Sequence, residues 1–163
     1  MYARLFETRF GWMAVASGGQ GISHVILPSK SRDKVERRLN EIAGGEYGST
    51  RDLMALESDL VRYFNGRAVD FRRYSLDLTF STGFQKRVWL LVREIPYGRT
   101  MTYKEVAERI GEPNSARAVG NALNENPLPV LIPCHRVVGS GDLGGFTGGP
   151  ALKKKMLKME GVL

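Results

Sequence analysis

One cysteine and two histidines are all that this chain of 163 residues contains of either type. A single thiol cannot close an internal disulfide, which fits a reducing compartment. Cys134, His24 and His135 are also too few for a Cys/His zinc site, so no metal centre of that kind is expected. The chain has no apolar run of about 18 residues that would span a membrane. Its start, Met1-Tyr-Ala-Arg-Leu-Phe-Glu, lacks the apolar stretch and small-residue cleavage site of a signal peptide, and a cytoplasmic protein is expected. There is no Gly-x-Lys-Ser/Thr phosphate loop, no internal repeat and no low-complexity tract. What is present, 42% apolar and 25% charged residues, is enough apolar material for one ordinary domain or two small packed lobes.

Positive charge is in excess and unevenly placed. The net charge is +7, from 24 Lys/Arg against 17 Asp/Glu. Residues 1–80 hold 12 basic and 10 acidic side chains, whereas residues 81–163 hold 12 and 7. A basic excess in the second half suits a polyanionic partner, although solubility alone explains a charge of this size equally well.

The pattern predicts a mixed α/β (α+β) fold in two lobes, 1–80 and 81–163. Residues 3–8, 11–17 and 22–27 read as an antiparallel meander. Val35, Leu39 and Ile42 predict a helix ended by Gly44-Gly45, and the polar stretch from Gly44 to Thr50 reads as a disordered loop. Leu53, Leu56, Leu60, Val61 and Phe64 form a second helical stripe, and Leu76-Asp-Leu-Thr-Phe80 alternates like a strand. In the second half Phe84, Val88, Leu91, Val92 and Ile95 make an amphipathic helix, with Trp89 expected to pack it. Thr102 with Glu105 is a capping box that starts a helix at Tyr103. Asn114 or Ser115 should cap another over 116–124, stopped by Asn126-Pro127. Two short helices joined through a glycine make a helix-turn-helix. Pro150 opens a last helix to Met159, with Leu152, Met156 and Met159 inward and Lys153, Lys155 and Lys158 outward.

The chemistry concentrates in Pro133-Cys134-His135-Arg136-Val137. A thiol attacks as its thiolate, and imidazole takes a proton near neutral pH. Alone, a cysteine among apolar residues is more often an inert core residue than a nucleophile. Val130-Leu131-Ile132 before it and Val137-Val138 after it place the pair in a buried strand or strand end. Neighbours on an extended strand point to opposite faces, so a direct sulfur–imidazole contact needs a turn or an intervening water.

The run Asn126-Pro-Leu-Pro-Val-Leu-Ile-Pro-Cys-His-Arg-Val-Val138 resembles the active-site signature of the O6-alkylguanine-DNA alkyltransferases. The resemblance extends over Tyr97-Gly98, Thr102-Tyr103, Ala116-Arg-Ala-Val-Gly120 and Met159-Glu160-Gly161, about residues 80 to 163. It implies direct suicide repair. An alkyl group passes from O6-alkylguanine, and from O4-alkylthymine, in double-stranded DNA to Cys134. The protein would act as a monomer without cofactor, in the nucleoid if the source is prokaryotic. Some members carry zinc in the N-terminal lobe; this chain lacks the ligands.

The same resemblance distributes roles. His135 acts on Cys134 through water, and Glu160 holds the other imidazole nitrogen; a third group orienting the base is the usual pattern of an activated nucleophile. Tyr103 stabilises a flipped nucleotide and Asn126 ties the DNA-binding helix to the active-site turn. A helix-turn-helix would ordinarily read the major groove. The family lays the second helix in the minor groove instead and pushes the arginine, here Arg117, into the base stack. The slim helix carrying Ser115, Ala118, Gly120 and Asn121 suits that groove. Pro129, Val138, Gly145, Phe146, Thr147 and Gly148 would line the pocket. Many members carry tyrosine where Phe146 stands, and Thr147 is placed to supply the missing hydroxyl. Gly144, Gly145, Gly148 and Gly149 leave room for alkyl groups larger than methyl. Arg136 is expected in a structural ion pair.

Three other readings fit part of this pattern. A non-catalytic alkylated-DNA-binding module of the same fold would lack the cysteine. A Cys-His-Glu thiol hydrolase would need an oxyanion hole, for which no motif is evident. A transcription regulator would need a dimerisation or sensor segment, and none is visible.

Overall fold

The computed structural model describes residues 1–163 and divides into two compact units, Met1–Leu78 and Thr79–Leu163. The fold is mixed α and β.

In the first unit β1 (Tyr2–Thr8), β2 (Gly11–Gly18) and β3 (Gly21–Ser29) form an antiparallel sheet in that order, with Leu5 opposite Ala14 and Val15 opposite Val25. Helices α1 (Arg32–Ala43) and α2 (Arg51–Phe64) both pack on this sheet, which is why Met13 to Ser17 of the central strand are all buried rather than alternating. Ala3, Ala14, Ala16, Val35 and Leu39 form the core under α1, with Leu5, Trp12, Ile26 and Tyr47 against it. Ser31 and Thr50 cap the two helices through their side chains, and Gly44 ends α1 in the left-handed conformation that glycine adopts without penalty.

Two expectations fail in this unit. The 44–50 segment is tied to the sheet: Ala3 N–H donates to the Gly48 carbonyl at 3.0 Å, and Tyr47, partly buried, packs against the core. Its polarity hid one anchoring aromatic. Residues 76–80 are not a strand. Leu76 alone bridges to Ile22, and Phe80 lies in the second unit, where its ring sits 6.2 Å from that of Trp89. The alternation of Leu76, Leu78 and Phe80 therefore served a crossing chain, not a sheet face.

In the second unit α3 (Gly83–Val92), α4 (Tyr103–Arg109) and α5 (Ala116–Asn124) pack together, and α4 with α5 is the helix-turn-helix. Full capping boxes, Thr82 with Gln85 and Thr102 with Glu105, start α3 and α4. Trp89 is buried and its indole N–H donates to the Ala122 carbonyl at 2.9 Å, fixing the far end of α5 to α3. Ser115 occupies the N-cap position of α5 but makes no cap bond. Its hydroxyl lies 3.3 Å from a Glu112 carboxylate oxygen instead. β4 (Met101–Thr102) pairs in parallel with β5 (Val137–Val138), and α6 (Pro150–Met159) closes the unit.

Candidate active site

Cys134 does not lie on a strand. Residues Cys134–Arg136 form a single 3₁₀ turn, and only Val137–Val138 continue as β5. Pro133, at φ −77° and ψ 67°, makes an inverse γ-turn that brings Cys134 N–H to 2.7 Å from the Ile132 carbonyl. Upstream, Val130 has φ 75°, a conformation a β-branched residue rarely adopts, and it is fully enclosed. The apolar run that reads as a strand is thus a tightly folded loop.

Asn126 holds that loop from inside. Its side-chain oxygen accepts from Leu128 N–H and its amide donates to the Ile132 carbonyl, both at 2.9 Å. The Ile132 carbonyl therefore receives both Asn126 and Cys134. Since Asn126 directly follows the end of α5, the helix and the cysteine turn share one polar anchor.

His135 is wholly buried, and its Nε2 lies 2.6 Å from Glu160 Oε2. Glu160 also accepts from Arg136 Nε at 2.9 Å and from Gly98 N–H at 3.0 Å, while Arg136 Nη1 donates to the Ile95 carbonyl at 2.7 Å. Burial pushes the Glu160 carboxyl up, but the bonds and charges of His135 and Arg136 outweigh it and hold it at about 2. Burial likewise pushes His135 down, against the pull of Glu160, so the imidazole is neutral at neutral pH. With the carboxylate ionised, Nε2 carries the proton it donates and Nδ1 carries the basic lone pair. Burial raises the Cys134 thiol, and Asn126, Lys153 and two backbone amides draw it back.

A small open cleft lies over the sulfur, lined by Tyr103, Leu123, Asn124, Cys134, Gly145, Phe146 and Thr147. Four of these were expected around the base or in its pocket: Tyr103, Gly145, Phe146 and Thr147. Leu123 and Asn124, at the end of α5, were not. Pro129, Val138 and Gly148 do not line this cleft, and Pro129 is buried in the loop beneath it. The Thr147 hydroxyl lies 3.3 Å from the Asn124 carbonyl, and the rings of Phe146 and His135 are 6.4 Å apart. On α5, Arg117, Ala118 and Asn121 are exposed, while Gly120 turns toward the Tyr103 ring. No group of three or more His, Cys, Asp or Glu side chains is arranged to hold a metal.

Lys153 corrects the sequence reading. It points inward, fully buried, and its Nζ donates to the Val137 carbonyl at 2.6 Å and the Gly145 carbonyl at 2.9 Å. The Lys-Lys-Lys run suggested a solvated face. The helical spacing from Lys153 to Met156, Leu157 and Glu160, all buried, is the signal that would have found it.

Nor is the room left by Gly144 empty. With φ 70°, Gly144 lets Tyr103 in: a Cβ there would stand 2.5 Å from the Tyr103 hydroxyl. Gly144→Ala is therefore expected to lose about 1–3 kcal/mol through left-handed strain and to displace Tyr103 from the cleft. Gly145→Ala, whose Cβ would meet nothing within 4 Å, should be close to neutral in stability. Thermal unfolding of both variants checks this, and equal losses would refute the steric account.

The buried thiol, the His135–Glu160 pair and the helix-turn-helix lie in one unit, and a known family matches that unit. A family described as "6-O-methylguanine DNA methyltransferase, DNA binding domain" matches residues 83–162. The methylated-DNA–protein-cysteine methyltransferase of Methanosarcina acetivorans is 36% identical over 163 residues, covering 99% of both chains. That of Methanosarcina barkeri is 39% identical, covering 98% of this chain and 97% of its own. The chain belongs to the methylated-DNA–protein-cysteine methyltransferase family. Among solved structures of similar proteins, Mycobacterium tuberculosis OGT in complex with DNA superposes with a TM-score of 0.78 at 32% identity, covering 98% of this chain and 92% of that one. The O6-methylguanine-DNA methyltransferase of the archaeon Pyrococcus kodakaraensis gives 0.75 at 25% identity, covering 99% of each. The likeness to methyltransferases thus includes the N-terminal unit, which lies outside the stretch of about residues 80 to 163 that carries the sequence resemblance.

Proposed function

We propose that this methyltransferase repairs DNA by moving an alkyl group from O6 of guanine in duplex DNA onto Cys134, once per chain. The observation that carries the reading is the sole thiol at the floor of a cleft, beside a neutral imidazole locked to an ionised carboxylate. Supporting it are the DNA complex of the Mycobacterium tuberculosis relative and the basic excess of residues 81–163.

A guanine O6 substituent inside a duplex is beyond the reach of a buried sulfur, so the base must leave the stack, at a cost of a few kcal/mol. Arg117, exposed in the first turn of α5, is placed to occupy the gap, with Ser115 at the N-cap and Ala118 and Asn121 along the same helix. Tyr103 and Phe146 offer aromatic faces to the extruded base. His135 takes the Cys134 proton, directly or through one water. The sulfur then forms a bond to the alkyl carbon as the carbon–O6 bond breaks. The electron pair leaves on guanine, which regains the proton from the imidazolium, so nothing is oxidised or reduced. Every group used belongs to one chain, consistent with a monomer, and a DNA substrate with an unoxidised thiol is consistent with the cytoplasm or nucleoid.

The test is stoichiometry. Excess duplex carrying O6-methylguanine should give a plateau of one methyl group per active chain, mapped by mass to the Cys134 peptide. A thioether has no easy leaving group and no second cysteine can accept by exchange. Guanine release continuing to many equivalents per chain would establish turnover and favour the thiol hydrolase.

A further inference from the structure

Tyr97 and Gly98 do not line the cleft, yet they meet the end of α6 closely. The turn Pro96–Arg99 is closed by Arg99 N–H on the Pro96 carbonyl at 3.1 Å, with Gly98 at φ 76° as its third residue. The Tyr97 hydroxyl donates to the Met159 carbonyl at 3.2 Å, and Gly98 N–H donates to Glu160 Oε1. A Cβ on Gly98 would stand 3.2 Å from the Glu160 carbonyl oxygen, so the two backbones themselves approach closely.

Glu160 stands where a helix is least secure. It is the C-cap of α6, and the last carbonyls of a helix have no partner inside it. The chain closes part of this end by itself. Glu160 N–H donates to the Met156 carbonyl, Gly161 N–H to that of Lys158 and Val162 N–H to that of Leu157. The Met159 carbonyl is reached instead by Tyr97, 62 residues away in sequence. The Tyr97 ring adds a second hold. The Arg136 guanidinium lies 5.8 Å from the ring centre, within range of a cation–π contact, and donates to both oxygens of Glu160. Hydroxyl, amide and ring thus converge on the carboxylate that receives His135 Nε2.

We propose that Tyr97 is a positioning residue for the transfer, whose hydroxyl pins the end of α6 so that Glu160 stays aimed at His135. The proposal rests on His135 serving as the base for Cys134. Without the pin the C-cap residue gains freedom, the bond from Nε2 to the carboxylate loosens and the imidazole becomes a weaker base. The charged and titratable groups around the pair are Cys134 and Arg136 in the turn, Lys153 on α6 and Tyr97 itself. Tyr97→Phe leaves the first three in place and keeps the ring that faces Arg136.

The test compares wild type and Tyr97→Phe without DNA, with circular dichroism to verify folding. Carbamidomethylation of Cys134 by iodoacetamide across pH should show its midpoint raised by about half a unit in the variant, a roughly threefold slower reaction at neutral pH. The His135 Nε2 proton, far downfield in a short bond to a carboxylate, should move upfield. A lower melting temperature with either the midpoint or that resonance unmoved would reduce Tyr97 to packing and overturn the proposal. If the variant does not fold, amide exchange in the wild type decides. The Glu160 and Gly161 N–H groups should be as protected as the interior of α6, and exchange at the rate of a frayed end would overturn the proposal equally. A variant that shifts both signals as expected, in a protein that takes no methyl from damaged duplex, would sink the acceptor reading instead.

Discussion

Cys134→Ser should abolish alkyl transfer while leaving affinity for duplex DNA largely unchanged. A serine hydroxyl is far harder to ionise than a thiol, and the elements that raise the thiolate here do so against strong burial. Affinity for duplex rests mainly on contacts to phosphates and sugars, and the exposed Arg117, Ala118 and Asn121 of α5 are untouched by the change. The measurement pairs methyl transfer from an O6-methylguanine duplex with a binding isotherm on the same DNA. Any residual transfer would remove Cys134 as acceptor, and a parallel loss of binding would show that the residue supports the fold.

Glu160→Gln is expected to have the largest effect on stability. The carboxylate accepts from His135, Arg136 and the Gly98 amide inside the protein, and glutamine leaves the Arg136 guanidinium without a counter-charge. Removing one member of a buried ion pair typically costs about 3–5 kcal/mol, which for a chain of this size lowers the melting temperature by more than about 6 °C. Transfer should also fall, roughly 100-fold or more, because His135 loses the group that fixes its proton on Nε2. In the wild type the same carboxylate dictates an acid limit. Its folded pKa of about 2 lies below the ordinary carboxyl value of 4.5, so its contribution is complete above 4.5 and disappears as pH falls toward 2. The shift corresponds to about 3 kcal/mol. Acid unfolding curves for the two proteins should converge below that window. Curves that stay parallel through it would show that Glu160 is not the group responsible.

The sequence was most readable where local chemistry decides structure. The Thr102–Glu105 capping box and the glycine stop of α1 both follow from short-range hydrogen bonding that one segment supplies to itself. Glu160 was legible through the resemblance, and an acid at a helix C-terminus, which opposes the dipole, calls for such a partner. The turn at Cys134 was not. Its shape comes from Pro133, from Val130 at φ 75° and from Asn126 reaching over six residues, none of which leaves a periodic trace. The apolar run looked like a strand because burial, not extension, is what the residues encode. Lys153 was misplaced for the converse reason: charge suggested solvent, whereas two carbonyls distant in sequence receive it. Leu123 and Asn124 escaped because only the folded cleft brings the end of α5 over the sulfur.

Helix α5 is fastened unequally, like a cantilever. Its C-terminal end is clamped, by the Trp89 indole on the Ala122 carbonyl and by Asn126 just beyond it. At its other end Ser115 supplies no side-chain cap, and Arg117 lies within the first turn. A load applied at Arg117 meets the compliant tip, which can settle against an irregular surface. The bending moment is greatest at the root, and the root is bonded to the same Ile132 carbonyl that receives the Cys134 amide.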